Sequence, residues 1–217
     1  MILHRDDRCV VVDKPSGTVV HASDFVGDTE GVPLLQQVRN LVGQHVYPVH
    51  RLDRGASGIV LFALDRVAAG AFSAAWPTAD KRYLAITRGH PPPHTLLEHP
   101  VPRAPGEERV DATTEIWLRE TFGRYALVEA RPHTGRLHQI RRHLKHMSCP
   151  LIGDVRYGKG EHNRIFRTEH RLHRLALHSI RLIVTHPAGT TLTVECPLAP
   201  DIAHAVESAR AAYATIP

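Results

Sequence analysis

The sequence predicts an α+β fold, and three observations lead to this prediction. Strand-like segments occur in neighbouring pairs joined by short turns, which is typical of antiparallel sheets. Helix-like segments lie between those pairs and do not follow every strand, so the regular alternation of a doubly wound fold is missing. The chain contains no internal repeat. With 217 residues it is long enough to bury a core without disulfide bonds, and we expect a single domain over residues 1–217.

The first elements are predicted to be a hairpin, a helix and a buried strand. Residues 8–14 have an apolar body and read as a strand, and residues 18–21 resume an extended pattern after a Pro-Ser-Gly turn. Residues 32–42 carry apolar side chains at helical spacing. Residues 59–64 are six apolar residues in a row, which predicts a strand buried on both faces.

The middle of the chain is predicted to add a helix and three strands. Residues 66–76 are rich in alanine and favour a helix, and residues 81–89 read as a strand. The proline-rich segment 91–109 shows little periodicity and is expected to be a loop or a small excursion. Residues 110–119 and 124–131 are expected to pair as a hairpin across a turn at Gly123.

The last third of the chain is predicted to be a helix, a loop, two strands and a final helix. Residues 135–147 should form a helix with Thr134 as its N-cap. The polar segment 158–173 is expected to be a flexible surface loop. Residues 175–185 and 190–196 read as paired strands, and residues 201–213 as the closing helix.

Composition indicates a soluble protein with a polyanionic partner. Lys and Arg exceed Asp and Glu by five, the pI is about 9.4, and 17 histidines add charge at lower pH. Nucleic acid is the first candidate for such a partner. The three cysteines are widely spaced and form no Cys-x-x-Cys, which favours a reducing compartment. No signal peptide or membrane-spanning run is present, so we expect a cytoplasmic location and no membrane contact.

A charged turn directly precedes the buried strand. In residues 50–58, Arg51 and Arg54 bracket Asp53, and two glycines follow. A carboxylate at the end of a rigid strand is a typical position for an active-site residue. The alternative is that Asp53 caps the turn and pairs with one of its neighbouring arginines, because aspartate is common in turns.

The helix predicted over residues 135–147 carries an apolar stripe. Its members are Leu137, Ile140, Leu144 and Met147. Arg141 borders this stripe, so we expect a part-buried guanidinium that needs a carboxylate or phosphate partner. His138, Arg141 and Lys145 form an adjacent basic stripe, which could also be an ordinary solvated face.

Other chemistries are less well supported by the sequence. His143, His146 and Cys149 recur every third residue, but no fourth ligand lies at zinc spacing, so we predict no metal site. No serine lies in a Gly-x-Ser-x-Gly elbow, and no phosphate-binding P-loop is present. Tyr83 lies in a predicted strand, where its ring could be a core residue or could stack on a nucleobase.

Five stretches together resemble the RluA-type pseudouridine synthases, in the order found in that family. They are Val12-Asp13-Lys14-Pro15-Ser16-Gly17, His50-Arg51-Leu52-Asp53 with Ser57-Gly58, Lys81-Arg82-Tyr83, Thr134-Gly135-Arg136-Leu137-His138-Gln139-Ile140-Arg141, and Leu151-Ile152-Gly153-Asp154. One departure is Ala56, where the family usually has threonine. The resemblance implies the pseudouridine synthase fold, a largely antiparallel mixed sheet flanked by helices with a catalytic cleft across its middle.

The resemblance also implies a mechanism. Uridine is converted to pseudouridine without oxidation or hydrolysis, so no cofactor is expected. Asp53 would be the catalytic carboxylate, either adding to the substrate or removing the 2′ proton. Arg141 would pair with Asp53 and keep it ionised, and Tyr83 would stack on the flipped base. The implied RNA-binding residues are Arg51, which would fill the vacated space in the RNA, and Lys14, Arg54, Arg136, His138, Gln139 and Lys145.

The expected partner is RNA, with tRNA favoured. Within the family, residues 43–46, residues 141–144 and Asn163-Arg164 are most similar to the branch that modifies a uridine in tRNA. Ribosomal RNA is the alternative target. Two other classes stay open at this point, a catalytically silent RNA-binding module and a histidine-rich metalloprotein. We expect a monomer, with no separate S4-like RNA-binding domain.

Overall fold

The computed structural model describes residues 2–21 and 31–214. In chain order the strands are β1 (Ile2–Arg5), β2 (Cys9–Lys14), β3 (Tyr47–Pro48), β4 (Ser57–Ala63), β5 (Asp80–Arg88), β6 (His94–Glu98), β7 (Val101–Pro102), β8 (Arg109–Val110), β9 (Thr113–Phe122), β10 (Tyr125–Pro132), β11 (Leu177–Thr185) and β12 (Thr191–Glu195). The helices are α1 (Leu34–Val42), α2 (Arg66–Ala75), α3 (Gln139–His146), α4 (Gly160–Glu169) and α5 (Pro200–Tyr213), with a 3₁₀ turn at Trp76–Thr78. The predicted α+β class is confirmed.

The chain divides into two compact units. The first consists of Met1–Lys81 and Ser179–Pro197, and the second of Arg82–His178 and Leu198–Pro217. In the first unit the strand order is β1-β2-β4-β11, with β3 on β4 and β12 on β11. In the second unit the order is β5-β10-β9-β6, and every neighbouring pair is antiparallel. The predicted single domain over residues 1–217 stays a prediction.

Strand β4 is the buried centre of the first unit, as its apolar run predicts. All seven of its residues are buried. Ile59 and Leu61 belong to the core that includes Phe72 of α2, whereas Val60 and Phe62 belong to the core that includes Val38 of α1. Successive side chains of a strand point to opposite faces, so a strand with a helix on each side must be apolar throughout.

The core of the second unit forms where α4 and α5 pack together. Phe166 of α4 and Ala205 of α5 lie in one buried cluster with Tyr125 of β10. The Tyr125 hydroxyl forms a hydrogen bond of 3.0 Å with Nδ1 of His162. These contacts correct the prediction of a flexible loop over residues 158–173, because α4 occupies Gly160–Glu169 within it. The helix has few apolar residues, and its buried face includes polar side chains that are satisfied only in the folded protein.

The hairpin predicted between residues 8–14 and 18–21 is wrong. Strand β2 pairs with β1 on one side and with β4 on the other, so both of its edges are occupied. The carbonyls of Val19 and Val20 instead accept the backbone N–H groups of Leu34 and Leu35, both at 2.9 Å. The segment therefore satisfies the first turn of α1 and does not extend the sheet.

The other predicted elements agree with the structure within a few residues, apart from several short strands that the sequence does not predict. Strands β1 and β3 are two of them. In the proline-rich segment, β6 adds an edge strand to β9, and β7 pairs with β8 at the end of the segment. The predicted hairpin of β9 and β10 is confirmed, with Phe122 opposite Tyr125 and a φ of 56° at Gly123 in its turn. None of the helices in the described parts of the chain is long and apolar enough to cross a membrane.

Candidate active site

Asp53 is half-buried in a tight turn directly before β4. The backbone N–H of Ala56 donates to the Asp53 carbonyl at 3.1 Å and closes the turn. The second residue of the strand is Gly58, whose φ is 105° and whose missing Cβ would lie 2.2 Å from the Ser179 carbonyl oxygen. Only glycine permits this approach of β4 to β11, so the exit of the turn is fixed by the backbone.

A second turn, from residues 15–18, is hydrogen-bonded to the Asp53 turn. Gly17 N donates to the Arg54 carbonyl at 2.8 Å, and Arg54 Nε donates back to the Gly17 carbonyl at 3.0 Å. The Ser16 hydroxyl donates to the Gly55 carbonyl at 2.7 Å. The structure thus places the first two family-like stretches against each other, although about 40 residues of sequence separate them.

Lys14 holds both turns from inside. Its side chain is fully buried, and its Nζ donates to the carbonyls of Pro15 at 3.0 Å, Thr18 at 2.7 Å and Arg54 at 3.3 Å. An ammonium group has three donors, and these three acceptors match that number. This geometry does not support the predicted RNA contact of Lys14, because its ammonium group donates to main-chain carbonyls and its side chain is buried. We assign Lys14 a structural role in the unit that carries Asp53.

His50 supports the same turn as a neutral imidazole. Its Nε2 accepts the backbone N–H of Leu61 at 3.1 Å, and its ring stacks on Trp76 at 4.3 Å. Burial of the ring, assisted by the charge of Lys81, lowers the pKa of His50 to about 3. A ring nitrogen that accepts a hydrogen bond carries no proton, which agrees with that direction. Sequence reasoning did not assign His50 a role.

Arg141 has a buried carboxylate partner in the second unit, as its position beside the apolar stripe of α3 predicts. Its Nε donates to Oδ2 of Asp154 at 2.8 Å, and its Nη2 donates to Oδ1 at 3.0 Å. The Arg141 side chain is 11% exposed and that of Asp154 is 0% exposed. The sequence did not identify Asp154 as this partner, although the residue belongs to the last family-like stretch. The predicted pairing of Arg141 with Asp53 stays a prediction.

Asp154 is held as a carboxylate by the loop that it starts. Burial alone would raise its pKa, but the Arg141 hydrogen bond and the backbone N–H groups of Tyr157 and Arg156 lower the pKa below its usual value. Both N–H groups donate to Oδ1 at 2.9 Å. Asn163 of α4 fixes the loop from the other side, since its Nδ2 donates to the Asp154 carbonyl at 3.0 Å. A buried, ionised acceptor therefore determines where the Arg141 guanidinium lies.

Tyr157 links this loop to the start of α3. Its hydroxyl forms a 3.1 Å hydrogen bond with Nδ1 of His138 and accepts another of 3.1 Å from Nε of Arg142. The guanidinium carbons of Arg141, Arg142 and Arg156 lie 5.1, 5.9 and 5.6 Å from its ring centroid. The half-buried ring is thus surrounded by cationic groups, and sequence reasoning did not assign it a role.

Helix α3 begins four residues later than predicted, and Thr134 does not cap it. The N-cap position is occupied by His138, whose φ is 54°. Gln139 is buried and fully bonded: its amide donates to Thr113 O and Thr114 Oγ1, and its Oε1 accepts from Thr134 Oγ1 and Arg136 N. These bonds do not support the predicted RNA contact of Gln139. Its amide instead ties α3 to β9, and this four-way network explains why the helix starts here.

Four of the remaining predicted residues lie on the surface, and the fifth, Tyr83, is buried. Arg51, Arg54, Arg136 and Lys145 are exposed, and Arg136 Nε donates to the Asp111 carbonyl at 3.1 Å. Tyr83 is 9% exposed in β5, opposite Ala130 of β10. Their contacts with RNA, and the stacking role of Tyr83, stay predictions. The structure brings Lys14 to the Asp53 turn, and brings His138 close to Arg141 through Tyr157.

The two histidines of α3 contact the segment around His99, one by a hydrogen bond and the other by ring stacking. His143 is fully buried, and its Nε2 donates to the His99 carbonyl at 2.9 Å. The rings of His99 and His146 stack at 3.7 Å, and Nη2 of Arg109 lies 2.8 Å from Nε2 of His99. These contacts join α3 to the segment around β7 and β8.

The fold is that of a pseudouridine synthase. The human RNA Pseudouridylate Synthase Domain Containing 4 superposes with a TM-score of 0.77 at 26% identity, covering 96% of this chain and 92% of that one. The human RNA Pseudouridylate Synthase Domain Containing 1 superposes with a TM-score of 0.75 at 24% identity, and the superposition covers 90% of this chain and 82% of that one.

The chain belongs to the RNA pseudouridylate synthase family, whose model matches residues 8–146. It is 38% identical over 209 residues to tRNA pseudouridine synthase C of Pasteurella multocida, covering 86% of each chain. It is 37% identical over 221 residues to the protein of that name from Salmonella typhimurium, covering 91% of this chain and 85% of the relative. The RluA-type resemblance seen in the sequence is confirmed, and the chain is an RNA pseudouridine synthase, an isomerase.

Proposed function

We propose that this chain isomerises a uridine of tRNA to pseudouridine, with Asp53 as the catalytic carboxylate. The tRNA target is supported by relatives named tRNA pseudouridine synthase C, which match most of the chain at 34–38% identity. The role of Asp53 is supported by its position in the family-like stretch and by the hydrogen-bonded pair of turns that carries it.

The pair of turns is the single observation that carries the catalytic assignment. The reaction breaks the N-glycosidic bond, rotates the base and rejoins it through C5, so one carboxylate must stay at a fixed place through two different steps. Lys14, Ser16 and Gly17 bond the main chain on the C-terminal side of Asp53, and Gly58 locks the strand after it. A carboxylate positioned by main-chain hydrogen bonds is suited to this requirement.

Arg141 is part of the same proposal as a catalytic residue, because it belongs to the family-like stretch at residues 134–141. Asp154 holds its guanidinium at Nε and Nη2. The position of the arginine is therefore fixed within its own unit.

Tritium release from tRNA labelled at C5 of uridine tests the catalytic assignment, because C5 loses its hydrogen when the new bond forms. Asp53→Asn should abolish release while tRNA binding, measured separately, is retained. Asp7→Asn, at an exposed position with the same chemical change, is the matched control and should keep wild-type turnover. Wild-type-like release by Asp53→Asn would overturn the assignment.

Mapping pseudouridines in RNA from cells with and without the protein tests the target. A site lost from tRNA supports the proposal, whereas a site lost only from ribosomal RNA contradicts it.

We also propose a cytoplasmic monomer without membrane contact. Sedimentation equilibrium should give the mass of one chain, 24.2 kDa, and fractionation should place the protein with soluble RNA-processing enzymes.

A further inference from the structure

Three different metal-ligand types meet at the N-terminal hairpin of the first unit. His4 lies in β1, Cys9 begins β2, and Asp6 lies in the turn between them. Each residue offers one ligand atom, and the three atoms lie within 4.8 Å of one another. Oδ2 of Asp6 is 2.8 Å from Nε2 of His4 and 3.6 Å from Sγ of Cys9.

The carboxylate of Asp6 is oriented by the main chain. Its Oδ1 accepts the backbone N–H groups of Arg8 and Cys9, both at 2.8 Å. These bonds occupy one oxygen and direct the other toward the imidazole of His4 and the thiol of Cys9. Ligating carboxylates in metal sites are commonly fixed by hydrogen bonds of this kind.

A fourth side chain faces the same oxygen. Nε2 of His186, from the turn between β11 and β12, lies 3.4 Å from Asp6 Oδ2, is buried, and makes no hydrogen bond of normal geometry. Nδ1 of His186 accepts the backbone N–H of Ala188 at 3.2 Å, so in a neutral ring the proton lies on Nε2. His186 thus presents an N–H to Asp6 and does not itself present a lone pair to the cluster.

We propose that His4 Nε2, Asp6 Oδ2 and Cys9 Sγ bind one Zn²⁺ ion, with His186 as a positioning residue for Asp6. Zinc takes imidazole, carboxylate and thiolate ligands in a tetrahedron, with bonds of about 2.0–2.3 Å, which places donors roughly 3.3–3.8 Å apart. The 3.6 Å separation of Asp6 Oδ2 from Cys9 Sγ has that spacing, and the 2.8 Å separation from His4 Nε2 must widen slightly on binding. Binding transfers the thiol proton of Cys9 to solvent as the zinc–sulfur bond forms. The His4 proton that faces Asp6 moves through solvent from Nε2 to Nδ1, which frees the Nε2 lone pair for zinc. Water completes the coordination.

The site is open to ions and would join two strands. The side chains of His4 and Asp6 are 33% and 31% exposed, whereas Cys9 is fully buried beneath them. Strand β1 is at the end of the strand order and pairs only with β2 among the named strands. A zinc ion bonded to both strands would therefore resist fraying of this sheet edge.

Cobalt substitution and zinc titration of the tag-free, chelator-treated full-length protein test the proposal. One equivalent of Co²⁺ should bind and give a sulfur-to-cobalt charge-transfer absorption, and Zn²⁺ should displace it and raise the melting temperature. Cys9→Ser should lose the charge-transfer band. Cys149→Ser, which removes another buried cysteine, should keep it. His4→Gln, at a part-exposed position that should tolerate the change, should weaken Zn²⁺ binding at least tenfold.

The controls make the result decisive. His94→Gln removes an exposed histidine in another strand and should leave Zn²⁺ affinity unchanged. His186→Gln should weaken binding less than His4→Gln, because it affects the orientation of Asp6 and not a ligand. Less than one tenth of an equivalent of Zn²⁺ bound at micromolar free ion would overturn the proposal. A charge-transfer band that survives Cys9→Ser would do the same.

Discussion

The guanidinium of Arg141 and the carboxylate of Asp154 form a two-point ion pair, Nε to Oδ2 at 2.8 Å and Nη2 to Oδ1 at 3.0 Å. Two backbone N–H groups complete the shell of Asp154. The arginine therefore has a defined position before any substrate arrives, which is the kind of preorganisation that catalytic cations require.

Replacing Asp154 with asparagine should destabilise the protein and reduce turnover. The change leaves a nearly buried guanidinium without its carboxylate, and breaking a buried pair this way typically costs about 3–5 kcal/mol. Urea unfolding measures the loss. Glu120→Gln breaks the more exposed two-point pair with Arg210 and should cost much less, because water screens this pair. Similar small losses in both variants would contradict the structural role of Asp154.

Replacing Lys14 with methionine should affect stability and not the salt dependence of tRNA binding. The buried ammonium donates to three carbonyls, and the substitution removes this donor from each of them. Lys145→Gln removes an exposed charge of the basic helix and should lower the slope of log K against log salt by about one. If Lys14→Met lowers the slope of log K against log salt by a comparable amount, the predicted contact of Lys14 with RNA is supported instead.

If Lys14→Met fails to fold, Ser16→Ala tests the same pair of turns more gently. It removes one hydrogen bond, that to Gly55, and should cost about 0.5–1.5 kcal/mol. Turnover should fall more than tRNA affinity, because the turn that carries Asp53 loosens while the surface charges stay unchanged.

Gly58→Ala should be much more destabilising than Gly17→Ala, although both glycines have positive φ. At Gly17 a Cβ meets nothing within 4 Å, so only backbone strain of about 1–2 kcal/mol is expected. At Gly58 the Cβ would collide with the Ser179 backbone at 2.2 Å, adding about 1–3 kcal/mol of overpacking. Chemical denaturation of both variants measures the difference, and equal costs would argue against close contact between β4 and β11.

His50 should make folding stability fall as pH is lowered. Its pKa is about 3 in the folded protein, below the ordinary value of 6.5 that it regains on unfolding. The unfolded chain therefore binds the extra proton between these values: the contribution is complete above about pH 6.5 and is lost progressively toward pH 3. One such proton changes the free energy of unfolding by at most about 1.4 kcal/mol per pH unit.

Comparison with His50→Gln isolates this contribution from those of other histidines. Burial also lowers the pKa of His143, His162 and His170, so the wild-type profile contains several such groups. The free energy of unfolding of His50→Gln should fall less steeply than that of the wild type between pH 6 and pH 4. Parallel profiles would show that His50 titrates normally.

Elements with strong local patterns could be predicted from the sequence. The six-residue apolar run predicts β4, and alternation with a glycine turn predicts the β9–β10 hairpin. Helical spacing predicts α1, and a high alanine content predicts α2. Helix α4 was missed because its stability comes from buried polar contacts such as that of His162 with Tyr125. Thr134 has the sequence context of an N-cap, but its hydroxyl instead donates a hydrogen bond to the side-chain oxygen of Gln139.

The sequence by itself determined the fold class, the family and the identities of Asp53 and Arg141 as candidate catalytic groups, because motif order and spacing are linear properties. It also indicated that Arg141 needs a carboxylate. Only the tertiary structure decided that Asp154 provides one, that Lys14 and Gln139 are internal supports, and that three ligand types converge at His4, Asp6 and Cys9. The physical reason is that burial and hydrogen-bond partners depend on which segments meet in space, and that information is distributed over the whole chain.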